Sequence, residues 1–216
     1  MKQVNLLYED HSIVVVDKPS GILVHKSTES SDRTFLLQIV RNRVGQHVFP
    51  VHRLDRAVSG VIVFALSSEI ARELQARLQK ESSIKEYVAL VRGTAPASGL
   101  IDHPLTDERG IKQTACTSFE KIGDFEQCSL LKVLIATGRR HQIRRHLSHI
   151  KHQILGDTQY GKGRINHFFR DHFGLSRIFL HARSLTFEHP TTSELMSVTS
   201  PIPDELEAVL KRLLIT

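Results

Sequence analysis

The stretch Val51-His52-Arg53-Leu54-Asp55-Arg56-Ala57-Val58-Ser59-Gly60 sets one carboxylate, Asp55, among basic neighbours directly before an apolar run at 61–66. The run predicts a fully buried strand, and chain ends beside buried strands line clefts. Most aspartates are surface or capping residues, but a fixed cation such as Arg53 or Arg56 would lower the pKa of Asp55 and keep it anionic. Nucleophilic catalysis requires such a carboxylate, so Asp55 is the first candidate catalytic residue.

Hydrophobic patterning on both sides of this stretch predicts a sheet-rich protein. Gly123 is expected to turn the chain between two strands, 22–25 is a candidate short extended piece, and 156–166 is a long polar loop. The runs that predict strands lie at 12–17, 61–66, 86–92, 114–120, 129–137 and 177–189, the last holding one or two strands.

Helical spacing of apolar residues fills the intervals. A helix is predicted after a Thr34 cap, another over 68–80 with Ser67 or Ser68 as N-cap, and others from Ile143 and from Pro203. Because strands outnumber helices and several are neighbours in sequence, the pattern predicts an α+β fold. Its central sheet is expected to be mixed and largely antiparallel, with helices packed on it.

The composition is that of an ordinary globular domain. The 216 residues suit one domain over 1–216, with 40% hydrophobic and 24% charged residues. Cys116 and Cys128 are too few for a disulfide framework and lack the spacing of metal ligands. No signal-peptide pattern and no apolar run of membrane-spanning length are present, so a cytoplasmic protein without membrane association is expected.

Positive charge is concentrated in one segment. The net charge is +6 with thirteen histidines counted as neutral, and residues 137–152 contain four arginines, one lysine and four histidines but no aspartate or glutamate. A solvated helix face usually mixes both signs, so a stretch this one-sided is more typical of a surface that faces phosphates. Backbone amides where the helix begins, after Gly138, would add to the positive field.

Tyr87 is the second candidate catalytic residue. It lies at the start of a predicted strand in a chain with no tryptophan and three tyrosines. A core aromatic with its hydroxyl at the surface is the plain interpretation, whereas the functional one is a ring that stacks on a base. The spacing of His141, His146, His149 and His152 matches no helical zinc site, and no phosphate-binding glycine motif occurs, so neither a metal nor a nucleotide cofactor is expected.

Several of these stretches together resemble the RNA pseudouridine synthases, in the branch marked by an HRLD motif. Agreement of several motifs in one order along essentially the whole chain makes chance an improbable explanation. The matching motifs are Asp17-Lys18-Pro19-Ser20-Gly21 with Val24-His25, His52-Arg53-Leu54-Asp55 with Ser59-Gly60, Lys85-Glu86-Tyr87, Gly138-Arg139-Arg140-His141-Gln142-Ile143-Arg144, Leu155-Gly156-Asp157 and Leu180-His181-Ala182.

The resemblance implies the pseudouridine synthase fold, with a basic catalytic cleft and no appended N-terminal RNA-binding domain. It implies isomerisation of a uridine in RNA without a cofactor. Asp55 would initiate cleavage of the glycosidic bond, by attack on the ribose or by elimination. Tyr87 would stack on the flipped uracil and remove the C5 proton, and Arg144 would pair with Asp55. The residues expected to contact RNA are Arg53, Arg56, Arg139, Arg140, His141 and Arg145.

Within the family, Gln46-His47-Val48-Phe49, Arg144-Arg145-His146-Leu147 and 161–173 resemble the branch that modifies uridine 65 of tRNA. A tRNA substrate is therefore expected, for a monomer with no obligatory protein partner. Asp17 and Gln153 depart from the residues that are common in the family, which leaves the RNA target open. The alternatives are a synthase acting on ribosomal RNA and an RNA-binding or folding-assisting protein with incidental catalysis.

Overall fold

The computed structural model describes residues 4–26 and 33–215. The helices are α1 (Leu36–Val44), α2 (Ser68–Arg77), α3 (Gln142–His149), α4 (Gly163–Phe173) and α5 (Asp204–Leu213). The strands are β1 (Asn5–Glu9), β2 (Ile13–Lys18), β3 (Phe49–Pro50), β4 (Ser59–Ala65), β5 (Ile84–Arg92), β6 (Ser98–Asp102), β7 (Leu105–Thr106), β8 (Lys112–Gln113), β9 (Cys116–Phe125), β10 (Cys128–Ile135), β11 (Leu180–Glu188) and β12 (Leu195–Thr199).

The chain divides into two compact units. The first unit contains Met1–Ile84 and Ala182–Pro201, and the second contains Lys85–His181 and Ile202–Thr216. The chain therefore passes from the second unit back to the first inside β11. In the described parts of the chain, none of the helices has both the length and the apolar composition that crossing a bilayer demands.

The first unit is built on strands in the order β1-β2-β4-β11, with β12 on β11 and β3 on β4. Antiparallel registers place Val15 opposite Val63 and Leu185 opposite Val198. Every residue of β4 is buried, and α2 packs against this strand, with Leu74 in the same core as Val63 and Phe187. The predicted buried strand at 61–66 is thus confirmed as the centre of this unit.

Gly60, at the start of β4, admits no side chain. Its φ is +117°, and a Cβ built on it would lie 2.1 Å from the carbonyl oxygen of Ala182 on β11. Glycine is required both by the backbone conformation and by the close approach of the neighbouring strand. This close approach fixes the position at which the loop before β4 enters the sheet.

The second unit has strands in the order β5-β10-β9-β6, and β7 pairs with β8 in a separate hairpin. Val133 of β10 lies opposite Tyr87 on β5 and Phe119 on β9, in antiparallel register. Helices α4 and α5 pack against each other, and Phe169 and Leu206 are fully buried in the same core as Leu90. The predicted α+β class and the predominance of antiparallel pairing are confirmed.

Helix ends follow the predicted caps in two cases. The Ser67 hydroxyl accepts a hydrogen bond from the backbone N–H of Ile70 at 3.2 Å, so Ser67 caps α2. Pro203 directly precedes α5 as predicted, and the buried residues of this helix are Leu206 and Val209. The expected Thr34 cap is wrong: α1 begins after Phe35, and its first amides donate to backbone carbonyls of 23–24 instead. Residues 22–25 are not a strand in the structure.

Two further predictions are wrong because sheet pairing and packing override local propensity. Gly123 does not turn the chain; it lies within β9, where a register shift leaves Ile122 as an extra residue, and the turn occurs at 126–127 instead. The polar loop predicted over 156–166 ends at α4, whose Phe169 is fully buried despite the polar residues around it. The elements that were not predicted are β1, β3, β6, β7, β8, β12 and α4.

The Gly60→Ala variant should be destabilised by roughly 3 kcal/mol, since its Cβ meets backbone that cannot move without separating β4 from β11. Gly45→Ala is the matched control. Gly45 also has a positive φ, of +73°, but nothing lies within 4 Å of the point that a Cβ would occupy, so a loss of about 1 kcal/mol is expected. Urea unfolding of both variants measures the difference, and equal losses would contradict the steric explanation.

Candidate active site

The loop that carries Asp55 is held by a buried lysine. Lys18, at the end of β2, is 0% exposed, and its Nζ donates to the carbonyl oxygens of Pro19 at 3.2 Å, Arg56 at 3.1 Å and Val58 at 2.6 Å. Two of these carbonyls lie just after Asp55. One ammonium group therefore satisfies three carbonyls and fixes the backbone on which the candidate carboxylate stands.

Further hydrogen bonds join this loop to the 17–21 motif. The backbone N–H of Gly21 donates to the carbonyl of Arg56 at 2.8 Å, and the Ser20 hydroxyl donates to that of Ala57 at 2.8 Å. The N–H of Val58 donates to the carbonyl of Asp55 at 3.1 Å, closing a turn. The two motifs recognised separately in the sequence are thus one structural feature in the first unit.

His52 joins the same loop to β4. Its Nε2 accepts a hydrogen bond from the backbone N–H of Val63 at 3.2 Å, so the proton of the neutral ring resides on Nδ1. Val63 is fully buried in the centre of β4. His52 therefore attaches the loop to β4 through this hydrogen bond. This contact gives the first residue of the HRLD motif a structural role.

Asp55 itself is half-buried, whereas Arg53 and Arg56 on either side are exposed. The Nε of Arg56 donates to the carbonyl of Gly21 at 3.4 Å. The structure therefore brings three of the predicted residues together on one turn of the first unit. The Asp55 side chain is partly shielded from water, whereas the side chains of Arg53 and Arg56 are exposed to water.

Tyr87 is the predicted residue on β5 of the second unit. It is buried and lies opposite Val133, with Lys85 two residues earlier on the same face of the strand. Burial lowers the pKa of Lys85 below its ordinary value. An aromatic ring and a partly desolvated ammonium group thus stand side by side on this face.

Arg144 lies on the buried side of α3 and binds Asp157. Its Nε donates to Oδ2 of Asp157 at 2.8 Å and its Nη2 donates to Oδ1 at 2.9 Å, which forms a bidentate pair. Asp157 is 1% exposed. Burial would raise the pKa of Asp157, but the hydrogen bonds from Arg144 and from the amides of Tyr160 and Gln159 bring this pKa below its ordinary value. Both members of the pair therefore stay charged.

The loop that presents Asp157 is tightly enclosed. Asn166 accepts a hydrogen bond from the N–H of Gly156 at 3.0 Å and donates one to the carbonyl of Asp157 at 2.8 Å. A Cβ on Gly156 would lie 2.1 Å from the carbonyl oxygen of Arg177, and one on Gly161 would lie 2.2 Å from that of Asp157. The carboxylate that orients Arg144 is therefore itself held in place by α4 and by the close approach of neighbouring backbone.

The other arginines of the basic segment are exposed or half-buried. Arg139 and Arg140 are exposed, and Arg145 is half-buried on α3. The Nε of Arg139 donates to the carbonyl of Thr114 at 3.1 Å, and Arg140 forms an ion pair with Glu108 of the β7–β8 hairpin. The segment 137–152 contains no acidic residue, but the fold supplies carboxylates from outside it. Its charge is therefore less one-sided than the sequence window indicates.

A buried polar chain connects α3 to β9. The Gln142 amide donates to the Thr117 hydroxyl at 3.1 Å, and Thr117 lies 2.9 Å from Nδ1 of His146. The Nε2 of His146 lies 2.9 Å from the carbonyl of His103, which can only accept, so Nε2 carries the proton and Nδ1 accepts from Thr117. His146 is thereby fixed in one neutral tautomer.

Three residues with structural roles at the site were not singled out in the sequence. Lys18 and Asp157 stood in motifs without an assigned role, and His146 was considered only as a metal ligand. A usable signal existed for Asp157, since an acidic residue that follows the apolar pair 154–155 after a single glycine is a candidate partner for a nearby arginine. Among residues 4–26 and 33–215, no three histidine, cysteine, aspartate or glutamate side chains are grouped so that they could hold a metal ion.

Solved structures identify the fold. The chain is similar to the structure titled "Human RNA Pseudouridylate Synthase Domain Containing 4", with a TM-score of 0.79 and 22% identity, covering 96% of this chain and 92% of that one. A second human structure, "RNA Pseudouridylate Synthase Domain Containing 1", matches with a TM-score of 0.77 and 22% identity, covering 96% of this chain and 87% of that one. The fold is therefore that of pseudouridylate synthase domains.

The sequence places the chain within a family. The model of the RNA pseudouridylate synthase family matches residues 12–149. A Haemophilus influenzae protein named tRNA pseudouridine synthase C is 38% identical over 230 aligned residues, covering 96% of each chain. A Vibrio cholerae protein of the same name is 36% identical, covering 95% of this chain and 93% of its own length. The chain belongs to the RNA pseudouridylate synthase family, as the motifs indicated.

The Lys18→Met variant should lose roughly 3 kcal/mol of stability, because three carbonyls lose their shared donor. Lys211→Met is the matched control, since Lys211 is exposed on α5 and pairs with Glu207 across one helical turn. That variant should change stability by less than about 0.5 kcal/mol. Urea unfolding gives both values, and a fully stable Lys18→Met protein would show that the clamp is dispensable.

Stability should fall in mild acid because burial lowers the pKa of His146 below its ordinary value of 6.5. Between the lowered folded pKa and 6.5, the unfolded chain binds a proton that folded His146 does not, so stability is lost as the pH falls through that interval. His146→Gln cannot titrate and should show a smaller loss between about pH 7.5 and about pH 5.5. Urea unfolding at both pH values measures this, and an equal loss in the variant would exclude His146 as the cause.

Proposed function

We propose that this chain is a tRNA pseudouridine synthase that isomerises uridine 65. The observation that carries the proposal is the similarity to relatives named tRNA pseudouridine synthase C, which at 36–38% identity extends over nearly the full length of both chains. The basic character of the chain, with a net charge of +6, suits an RNA partner. Residues 1–216 would act as one catalytic domain in the cytoplasm, as a monomer and without a protein partner.

Asp55 is the proposed initiator of the reaction. It is half-buried on a turn whose flanking carbonyls are held by Lys18, so its carboxylate has a defined position before substrate binds. Pre-organisation of this kind lowers the cost of reaching the reacting geometry. Asp55 would start cleavage of the bond between N1 of uracil and C1′ of ribose, by attack on the sugar or by promoting elimination.

The remaining steps need no redox cofactor, metal or co-substrate. The target nucleotide leaves the stack, which costs a few kcal/mol, and contacts of arginines with phosphates offset this cost. After cleavage, the uracil turns and its C5 bonds to C1′. The C5 proton is then lost and N1 ends with a proton, so atoms and electrons balance within an isomerisation.

Tyr87 and Arg144 complete the proposed catalytic set. Tyr87 would stack on the flipped uracil and accept the C5 proton. Arg144 would supply the cation of the active site, for which its bidentate bond to Asp157 is suited because it fixes the guanidinium plane. Contacts to RNA would come from four exposed arginines and two half-buried residues. The exposed ones are Arg53, Arg56, Arg139 and Arg140, and the half-buried ones are His141 and Arg145.

The decisive assay uses a tRNA transcript labelled with tritium at uracil C5, incubated with the protein and no added metal or nucleotide. Isomerisation releases tritium to water, so the wild-type protein should release it. Asp55→Asn should abolish release while leaving RNA affinity within about threefold, because the carboxylate acts in chemistry and not in binding. Asp171→Asn, which alters an exposed aspartate on α4, is the matched control and should behave as wild type.

A transcript with cytidine at position 65 tests the target and should release no tritium. Release from ribosomal RNA fragments but not from tRNA would contradict the substrate assignment and retain the chemistry. Tight binding to both RNAs without release from either would contradict the enzymatic assignment and favour an RNA-binding protein. Appreciable release by Asp55→Asn would exclude Asp55 as the initiator.

A further inference from the structure

Tyr160 contacts three residues of the second unit, namely Asp157, Arg144 and His141. Its backbone N–H donates to Oδ1 of Asp157 at 3.1 Å, its ring lies under the Arg144 guanidinium, and its hydroxyl lies 3.1 Å from Nδ1 of His141. These contacts link the partner of Arg144 to a residue of the proposed RNA-binding set. A tyrosine in this place is therefore more than a packing residue.

The ring of Tyr160 contacts the guanidinium group of Arg144. The Cζ of Arg144 lies 5.0 Å from the centroid of the Tyr160 ring, within the range of a cation–π interaction. The same tyrosine contributes its amide to the carboxylate that grips this guanidinium. The ring thus covers the guanidinium face while Asp157 holds its edge, so the group is restrained in two directions.

The hydroxyl group of Tyr160 contacts His141. This residue directly precedes α3 and has φ 54° and ψ 27°. Residues other than glycine rarely adopt this left-handed backbone conformation. Such a conformation is strained and persists only where the surroundings impose it. The Tyr160 hydroxyl holds the imidazole, and the two rings meet edge to face with centroids 5.7 Å apart.

The position of Tyr160 is itself determined by its neighbour. Gly161 follows it, and a Cβ there would lie 2.2 Å from the carbonyl oxygen of Asp157. These two backbone segments approach so closely that only glycine fits directly after Tyr160. Tyr160 is half-buried, so its ring is supported on one side while the hydroxyl reaches His141.

We infer that Tyr160 is a positioning residue for the reaction, which orients Arg144 through its ring and holds His141 in an RNA-binding conformation through its hydroxyl. The inference rests on the proposed function. The two roles are separable by chemistry, because Tyr160→Phe removes the hydroxyl and keeps the ring, whereas Tyr160→Leu removes both. Loss of the hydroxyl group should weaken tRNA binding. Loss of the ring should in addition lower the turnover rate.

The experiment measures kcat and KM for tritium release from tRNA. Tyr160→Phe should raise KM about fivefold, the factor expected for one lost hydrogen bond, with kcat within about twofold of wild type. Tyr160→Leu should in addition lower kcat about tenfold. Tyr8→Phe is the matched control, because it removes an exposed tyrosine hydroxyl that contacts Asp10 in the first unit, and it should leave both constants unchanged.

A double-mutant cycle tests whether Tyr160 acts through His141. His141→Asn removes the imidazole but tolerates the left-handed backbone. If the inference holds, Tyr160→Phe adds nothing to the KM of His141→Asn. Additive effects of the two substitutions, or a Tyr160→Phe enzyme with the KM of wild type, would overturn it. Melting curves of every variant separate these outcomes from loss of folding.

Histidine ¹⁵N NMR of the free protein gives a readout independent of activity. The Nδ1 resonance of His141 should move in Tyr160→Phe and stay in place in Tyr8→Phe. If the wild-type protein released no tritium from any RNA, the proposed function would fail, yet a moved resonance would still establish the contact. An unmoved resonance would refute the hydrogen bond on which the positioning role depends, whatever the enzyme's substrate.

Discussion

The buried pair between Arg144 and Asp157 is the interaction on which the basic segment of the second unit depends. Two charges leave water together, which is favourable only when their hydrogen bonds are satisfied, and removing one partner of such a pair costs roughly 3–5 kcal/mol. Here Arg144 and backbone amides satisfy the carboxylate, and α4 holds the loop beneath it. The arginine is thereby fixed in orientation as well as in charge.

The first unit also uses a buried charged group to hold a candidate residue in place. Lys18 is fully buried, and its ammonium group holds the carbonyls around Asp55 instead of facing solvent. His52 adds a second attachment through the amide of Val63. Asp55 therefore lies on a short irregular segment that Lys18 and His52 attach to regular structure, which limits the motion of the carboxylate without fully burying it.

Sequence patterns predicted regular structure well where one face of an element is buried. The strand 61–66, the helix capped by Ser67 and the helix after Pro203 are confirmed, since each depends on the local period of apolar residues. The turn at Gly123 and the loop through 166 are wrong, because pairing within β9 and burial of Phe169 outweighed local preference. The basic segment shows the same limit, since Glu108 and Asp157 offset its charge from outside the window.

By itself the sequence determined several of the elements, the α+β class and the family, because apolar periodicity and ordered motifs are properties of neighbouring residues. It also singled out Asp55, Tyr87 and Arg144, whose catalytic roles stay predictions. Tertiary structure alone decided the partners: Lys18 meets Val58 across 40 positions, His146 meets His103 across 43, and Arg144 meets Asp157 across 13. The physical reason is that a buried polar group must find a hydrogen-bond partner, and folding chooses that partner by distance in space.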